Sequence, residues 1–221
     1  QQFAVVVGDE SVPAEFLLPF VQHLRNHVGS RDQPRAVVRL VGVILADTTL
    51  NLPDFRAAER AFGLVTQVAG RAGRFVKGGR VLVQTYRPTS PVLTRAAAHD
   101  VEGFYSDELA VRRELGFPPY SRLLRVVIRS KDASKVQAAA AALAGRLAEA
   151  LSLAGANGAG VDILGPAECP LGVVGGNARR HIILRSATPA PARAALSAAL
   201  HGWKPPAPVY VEIDPDPVNL M

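Results

Sequence analysis

Gln67-Val-Ala-Gly-Arg-Ala-Gly-Arg74 sets two arginines three residues apart among residues with almost no side chain. On a helix, Arg71 and Arg74 share a face and can converge on one anion. Gly70 and Gly73 remove the side chains that would hold a ligand or a neighbouring lobe at a distance. Guanidinium keeps its charge at any working pH and offers a planar fork of donors, which suits a phosphoryl group whose charge spreads during transfer. One Gly-Arg pair would read as a small turn with solvated arginines. The complete octet favours a phosphate-reading surface.

Such a motif needs elements to present it. Val41 to Asp47 is an apolar run suited to a buried parallel strand, ending in a carboxylate. Asp54 stands at an N-cap position after Pro53, and Phe55, Ala58, Phe62 and Val65 follow at helical spacing. The order is strand, loop, helix, arginine motif. Residues 1–95 therefore read as part of an α/β lobe, and residues 96–119 as a helical connector with a solvated Arg- and Glu-rich face. Pro118-Pro119 closes that connector, since adjacent prolines bar helix continuation.

Residues 120–221 read as strand, helix, strand, strand, helix, strand. The expected elements are Leu123–Ser130, Ala133–Leu153, Val161–Leu164, His181–Arg185, Pro191–His201 and Val209–Ile213. The first helix carries Val136, Ala140, Leu143, Leu147 and Ala150 on one stripe, and Gly155 to Gly160 stops it. This order predicts a split βαβ, ferredoxin-like α+β sandwich.

Composition narrows the function classes. The chain has 221 residues, 48% of them hydrophobic, enough for one large domain or two modest ones. It has no apolar run near the ~20 residues of a membrane span and no signal-peptide pattern at its start. Cys169 is the single cysteine, so no internal disulfide can form, which fits a reducing cytoplasm. A formal charge of +6 favours polyanions. GC-rich coding produces the same arginine enrichment, so the charge is a prior and not a site. Position adds detail: Arg56, Arg60, Arg71, Arg74, Lys77 and Arg80 crowd the first segment, Arg122, Arg125, Arg129 and Lys131 alternate along a strand, and Arg179 and Arg180 are adjacent.

Other residues take plain readings. Gly172, Gly175 and Gly176 lack the following helix of a phosphate loop and read as a hairpin between strands. Asp214-Pro-Asp216 reads as a turn. His23 and His27 lack the neighbouring Glu of a zinc-hydrolase helix. Trp203 reads as a lid over the small sandwich, and aromatic residues, 6% of the chain, are too dispersed to indicate stacking on single strands. No metal site is expected.

From about Val37 onward the chain resembles the PriA-type primosomal replication-restart DNA helicases of superfamily 2. The likeness rests on the strand ending near Asp47, Asp54-Phe-Arg-Ala-Ala-Glu-Arg60 and the octet. It continues through Gly79-Arg-Val-Leu-Val-Gln-Thr-Tyr-Arg-Pro88, Phe104-Tyr-Ser-Asp-Glu-Leu109, Arg112-Arg-Glu-Leu-Gly-Phe-Pro-Pro-Tyr-Ser-Arg122, Ile163-Leu-Gly-Pro-Ala167 and Val211-Glu-Ile-Asp-Pro215. Superfamily 2 proteins in general share only the Gly-Arg-x-Gly-Arg core, so the downstream landmarks carry the family. Val28–Ala36 departs from the family pattern and Gln1–His27 does not resemble it, so residues 1–36 are divergent.

The resemblance implies the remnant of a RecA-like second helicase lobe followed by the family's C-terminal domain. Arg71 and Arg74 would meet the γ-phosphate of ATP with magnesium held by another lobe, and Gln67, Gly70 and Gly73 would couple the nucleotide to lobe closure. Arg122, Arg125, Arg179 and Arg180 are candidate DNA-phosphate contacts. The implied partners are forked or single-stranded DNA, single-stranded-DNA-binding protein and other primosome proteins, with 3′ to 5′ unwinding by a cytoplasmic, nucleoid-associated monomer. A cysteine-rich zinc module is implied upstream. The chain starts at Gln1 and contains neither a Gly-x-x-x-x-Gly-Lys-Ser/Thr loop nor an acidic magnesium motif. The expectation is therefore a C-terminal piece that does not hydrolyse ATP by itself. Two other readings stay open: a non-enzymatic branched-DNA scaffold with a decayed motor, and an RNA-directed superfamily 2 protein.

Overall fold

A computed structural model describes residues 2–7, 40–44, 46–72, 80–158 and 160–220. It divides into two compact units, residues 1–52 with 56–108, and residues 53–55 with 109–221. Both mix helices with a sheet, and among the described residues there are six α-helices. None of these helices is long and apolar enough to cross a membrane.

The first unit contains β1 (Gln2–Val7), β2 (Leu40–Val43), α1 (Ala46–Leu50), α2 (Ala57–Ala72), β3 (Arg80–Thr85) and α3 (Pro91–Ala97). The next helix, α4 (Val101–Leu115), begins here and runs past Glu108 into the second unit. Among the described residues the three strands of the first unit are all parallel in the order β1-β3-β2, with Arg80 in register with both Gln2 and Leu40. β1 lies in the segment that the sequence left without resemblance. Alternate residues of β3, Val81, Val83 and Thr85, are buried. Phe62, Val65 and Ala69 of α2 form one core with Val81, Val83, Leu93, Ala96 and Phe104. The helical spacing of those α2 residues is what sets one face of the helix inward.

Three local expectations fail here. The strand predicted over Val41 to Asp47 stops at Val43, and Asp47 sits in the first turn of α1. Its buried carboxylate accepts the backbone N–H of Tyr86 at 2.9 Å, satisfying a donor just beyond β3 that the ladder leaves over. Asp54 does not cap α2, which starts at Ala57. Its carboxylate is buried and accepts the N–H of Leu220 at 3.2 Å. Phe55 likewise leaves the α2 stripe and stacks on Phe117, with centroids 5.6 Å apart.

The second unit holds β4 (Arg122–Ser130), α5 (Ala133–Ala154), a 3-10 turn over Gly155–Asn157, β5 (Val161–Val174), β6 (Asn177–Ser186), α6 (Pro189–Leu200) and β7 (Tyr210–Pro215). The strands pair antiparallel in the order β5-β6-β4-β7. Leu124, Val126, Ile128, Ile182 and Leu184 project from one sheet face into a core with Val136, Ala140, Leu143 and Leu147 of α5 and Ala192, Leu196 and Ala199 of α6. Trp203 packs against that core as its expected lid. Asp132 caps α5 by accepting from the amides of Ser134 and Lys135. Arg146 of α5 donates to the carbonyls of Ala199 and His201 at 2.6 and 2.8 Å, covering orphan acceptors at the end of α6.

β5 is ten residues longer than the predicted four and runs on through Gly165-Pro166 and Pro170. They are tolerated because β5 is an edge strand with register shifts at 164/167 and 168/173. Gly165 has φ 102°, and a side chain there would come within 2.8 Å of the His181 carbonyl. Gly175 and Gly176, at φ 57° and 75°, make the two-residue turn between β5 and β6. The sheet face away from α5 and α6 is partly covered by a smaller cluster of Leu123, Ile183 and Leu220 with Phe55 and Phe117. Arg112, expected on a solvated helix face, is buried with its guanidinium over Phe55 and its Nη1 donating to the Pro118 carbonyl at 3.4 Å.

Candidate functional site

Gln67 to Ala72 lie in the last turns of α2. Ala61, Phe62, Val65 and Ala69 face inward, and Phe62 stacks on Phe104 with centroids 4.0 Å apart and planes 6° from parallel. Gly63, Gln67 and Gly70, at positions i, i+4 and i+7, form an exposed line on the opposite side. A Cβ built on Gly63 or Gly70 meets nothing within 4 Å among the described residues. Packing within this unit therefore does not require either glycine. Each costs about 0.8–1 kcal/mol relative to alanine inside a helix. The ridge can admit the flat approach of another surface or of a phosphate chain. Gly63 extends it by one turn and was not singled out in the sequence, although it stands four residues before Gln67.

Arg71 follows Gln67 by one turn on the same helix. Its side chain, and Gly73 and Arg74 entirely, lie outside the described residues, as does Lys77. Asp47 approaches the sheet from the first turn of α1, with one carboxylate oxygen on the Tyr86 amide. Its other oxygen, Oδ1, is buried with no hydrogen-bond partner among the described residues. Also among the described residues, no group of three or more His, Cys, Asp or Glu side chains could hold a metal ion.

The second unit separates the four arginines proposed as phosphate contacts. Arg122 is exposed but paired with Asp216 at 2.5 Å. Arg125 is only 3% exposed, with Nη1 donating to the Asn219 carbonyl at 3.4 Å and Nη2 to Cys169 Sγ at 3.7 Å. Its neighbours keep it from meeting a phosphate in this arrangement, contrary to the expectation from strand alternation. Arg179 is half-buried, and its Nη1 donates to the Leu171 carbonyl at 3.4 Å. Arg180 is half-buried on the other face of β6, in register with Glu168 and Ile128.

On the face shared by Arg125 and Arg179, opposite to that of Arg180, lies His181, whose buried ring has Nδ1 without a hydrogen-bond partner among the described residues. Burial lowers its pKa to about 4, helped by the charges of Arg125 and Arg179, so the imidazole is neutral near pH 7. Cys169 is buried beside Arg125 as a free thiol.

Residues 113–218 match the family model described as the primosomal protein N C-terminal domain. Similarity extends upstream through the motif helix. The chain is 46% identical over 184 residues to the replication restart protein PriA of Treponema pallidum, covering 83% of this chain and 27% of that protein. The chain belongs to the PriA family. The Bacillus subtilis replication restart protein PriA is 39% identical over 188 residues, which is 83% of this chain and 22% of that protein. The Synechocystis relative of the same name is 34% identical over 187 residues, 84% of this chain and 21% of its own length. The chain thus spans about a quarter of the length of these PriA relatives.

Proposed function

We propose that this PriA-family chain contributes to replication restart by binding forked or branched DNA and by completing an ATP site from its second-lobe side. In this reading the first unit is the remainder of a RecA-like lobe and the second a ferredoxin-like sandwich. The observation that carries the motor part is the open line Gly63–Gln67–Gly70 on the helix that bears Arg71, in a chain similar to named replication restart proteins over 83% of its length. ATP supplies the phosphoryl group that is transferred to water. Arg71 and Arg74 would offset the negative charge of the γ-phosphate, and Gln67 would link its presence to the packing of α2. The exposed glycines fit this role because they leave room for a triphosphate or the lobe that holds it. Magnesium would be held by that other lobe. The DNA it supports unwinding, in the 3′ to 5′ sense, would also bring single-stranded-DNA-binding protein and other primosome proteins to the complex.

The test joins the chain to a lobe with a phosphate-cradling loop, in a protein that hydrolyses ATP. Arg71→Ala and Arg74→Ala are expected to lower DNA-stimulated turnover by about 10³- to 10⁵-fold while DNA affinity changes little. Near-normal turnover in both variants removes the motor role. It would leave the second reading, a non-enzymatic branched-DNA scaffold, which the divergent Val28–Ala36 segment favours.

A further inference from the structure

The register of the second unit brings together three residues that the sequence keeps far apart. Arg179 on β6 lies directly opposite Arg129 on β4, and Arg129 lies directly opposite Tyr210 on β7. Alternate neighbours on the same strands, Ile128, Ile182 and Val211, face the core under α5 and α6. Arg129, Arg179 and Tyr210 therefore share the other sheet face. The far end of that face is closed by Leu123, Ile183, Leu220, Phe55 and Phe117. At the Tyr210 end it is open, and Tyr210 is 56% exposed.

The Arg129 guanidinium sits 5.0 Å from the Tyr210 ring centroid, and its Nε also donates to Glu212. One side of the ring is thus backed by a cation. β7 is the edge of the sheet, so among the described residues no further strand covers the other side. Lys131, immediately past β4, is exposed, while the carboxylate of Asp132 is turned to the amides of α5. Arg129, Arg179 and Lys131 outnumber Glu212 beside the ring, and the next carboxylate on that face, Asp214, lies four residues along β7 from Tyr210, opposite Arg125. An exposed aromatic ring with one free face, flanked by cations on a sheet, is the arrangement that stacks an unpaired base and holds its phosphates.

We propose that Tyr210, backed by Arg129 and flanked by Arg179, is a stacking site for a base of single-stranded DNA on the open sheet face. This rests on the DNA-binding part of the function proposed above and names the surface and the form of the strand. Duplex DNA does not fit the same role, because its bases are already stacked. Arg179 contributes charge and Tyr210 contributes ring surface, so substitutions at the two positions have different signatures.

The experiment measures, with the full chain, the anisotropy of labelled oligothymidine and of an abasic strand of the same length over a range of salt. Tyr210→Ala is expected to weaken oligothymidine binding roughly 5- to 150-fold with the salt slope unchanged, and to leave the abasic strand nearly unaffected. Tyr210→Phe keeps binding within about twofold, because the ring is what stacks. Arg179→Ala weakens both strands and lowers the log–log salt slope by about 0.7. Trp203 fluorescence, reporting on the core beneath, is expected to give the same unfolding transition for wild type and Tyr210→Ala. If wild type binds DNA and Tyr210→Ala binds oligothymidine equally well, or loses both strands alike, the stacking site is refuted while DNA binding stands. If wild type binds neither single-stranded nor forked DNA, the function on which the site rests fails with it.

Discussion

The motif helix and the C-terminal sheet treat their polar sequence in opposite ways. α2 exposes Gly63, Gln67 and Gly70, with open space where two side chains are missing. The sheet instead turns much of its arginine content onto its own chain. Arg125 reaches the Asn219 carbonyl, Arg122 pairs with Asp216, and Arg185 pairs with Asp162 at 2.8 Å and donates to the Leu115 carbonyl at 2.5 Å. A basic sequence is therefore a poor guide to a basic surface. In the first unit the informative feature is missing bulk. In the second it is which cations are left beside an exposed ring.

That contrast breaks first at Arg125 and Arg122, three residues apart on one strand. Arg125→Ala removes a buried charged side chain and strands the carbonyl it serves, and is expected to destabilise the second unit by about 3 kcal/mol. Arg122→Ala loses an ion pair that is about half exposed on both sides, and is expected to cost less than about 1 kcal/mol. Urea midpoints of the two variants check the difference. Equal shifts would mean that burial does not separate their roles.

The same buried face predicts a pH dependence. His181 has a folded-state pKa near 4 against an ordinary value of 6.5, so the unfolded chain binds more protons between those pH values. Stability should therefore fall as the pH is lowered from about 6.5 toward 4, by an amount on the order of 3 kcal/mol. His181→Leu should flatten the urea midpoint between pH 6.5 and 5, a range above most carboxylate titration. An unchanged slope would place the histidine in a wetter setting than its burial indicates.

On the α2 ridge the expected changes are smaller. Gly63→Ala and Gly70→Ala add a methyl group into open space and improve helix propensity, so each should raise the stability of the first unit by about 0.5–1 kcal/mol. Thermal unfolding checks this. Destabilisation would show that another surface already occupies the ridge.

Much of the fold was legible because periodicity is local. The α5 stripe of Val136, Ala140, Leu143 and Leu147 is buried as its spacing predicts, although Ala139 takes an inward place that Ala150 was given. The glycine pair 175–176 turns the hairpin as expected. What escaped was decided by contacts across long stretches of chain. Asp54 has cap-like sequence surroundings, but its carboxylate serves the amide of Leu220. Arg125 and Arg129 look alike in an alternating strand, yet the chain around Asn219 buries one and leaves the other beside Tyr210. The dispersion of aromatics in sequence also hid Tyr210, because only strand register sets it against Arg129 and in line with Arg179.

The proposed motor role needs the open ridge on α2, and Gly70→Leu obstructs it, since the new side chain points into space that the described residues of the first unit leave vacant. The measurement is DNA-stimulated ATP hydrolysis by a protein that joins this chain to a phosphate-cradling lobe, at a temperature where unfolding curves show both forms fully folded. A fall of about tenfold or more with no loss of thermal stability is the predicted result. Wild-type turnover with a leucine on the ridge would mean that no nucleotide or neighbouring lobe approaches α2 there.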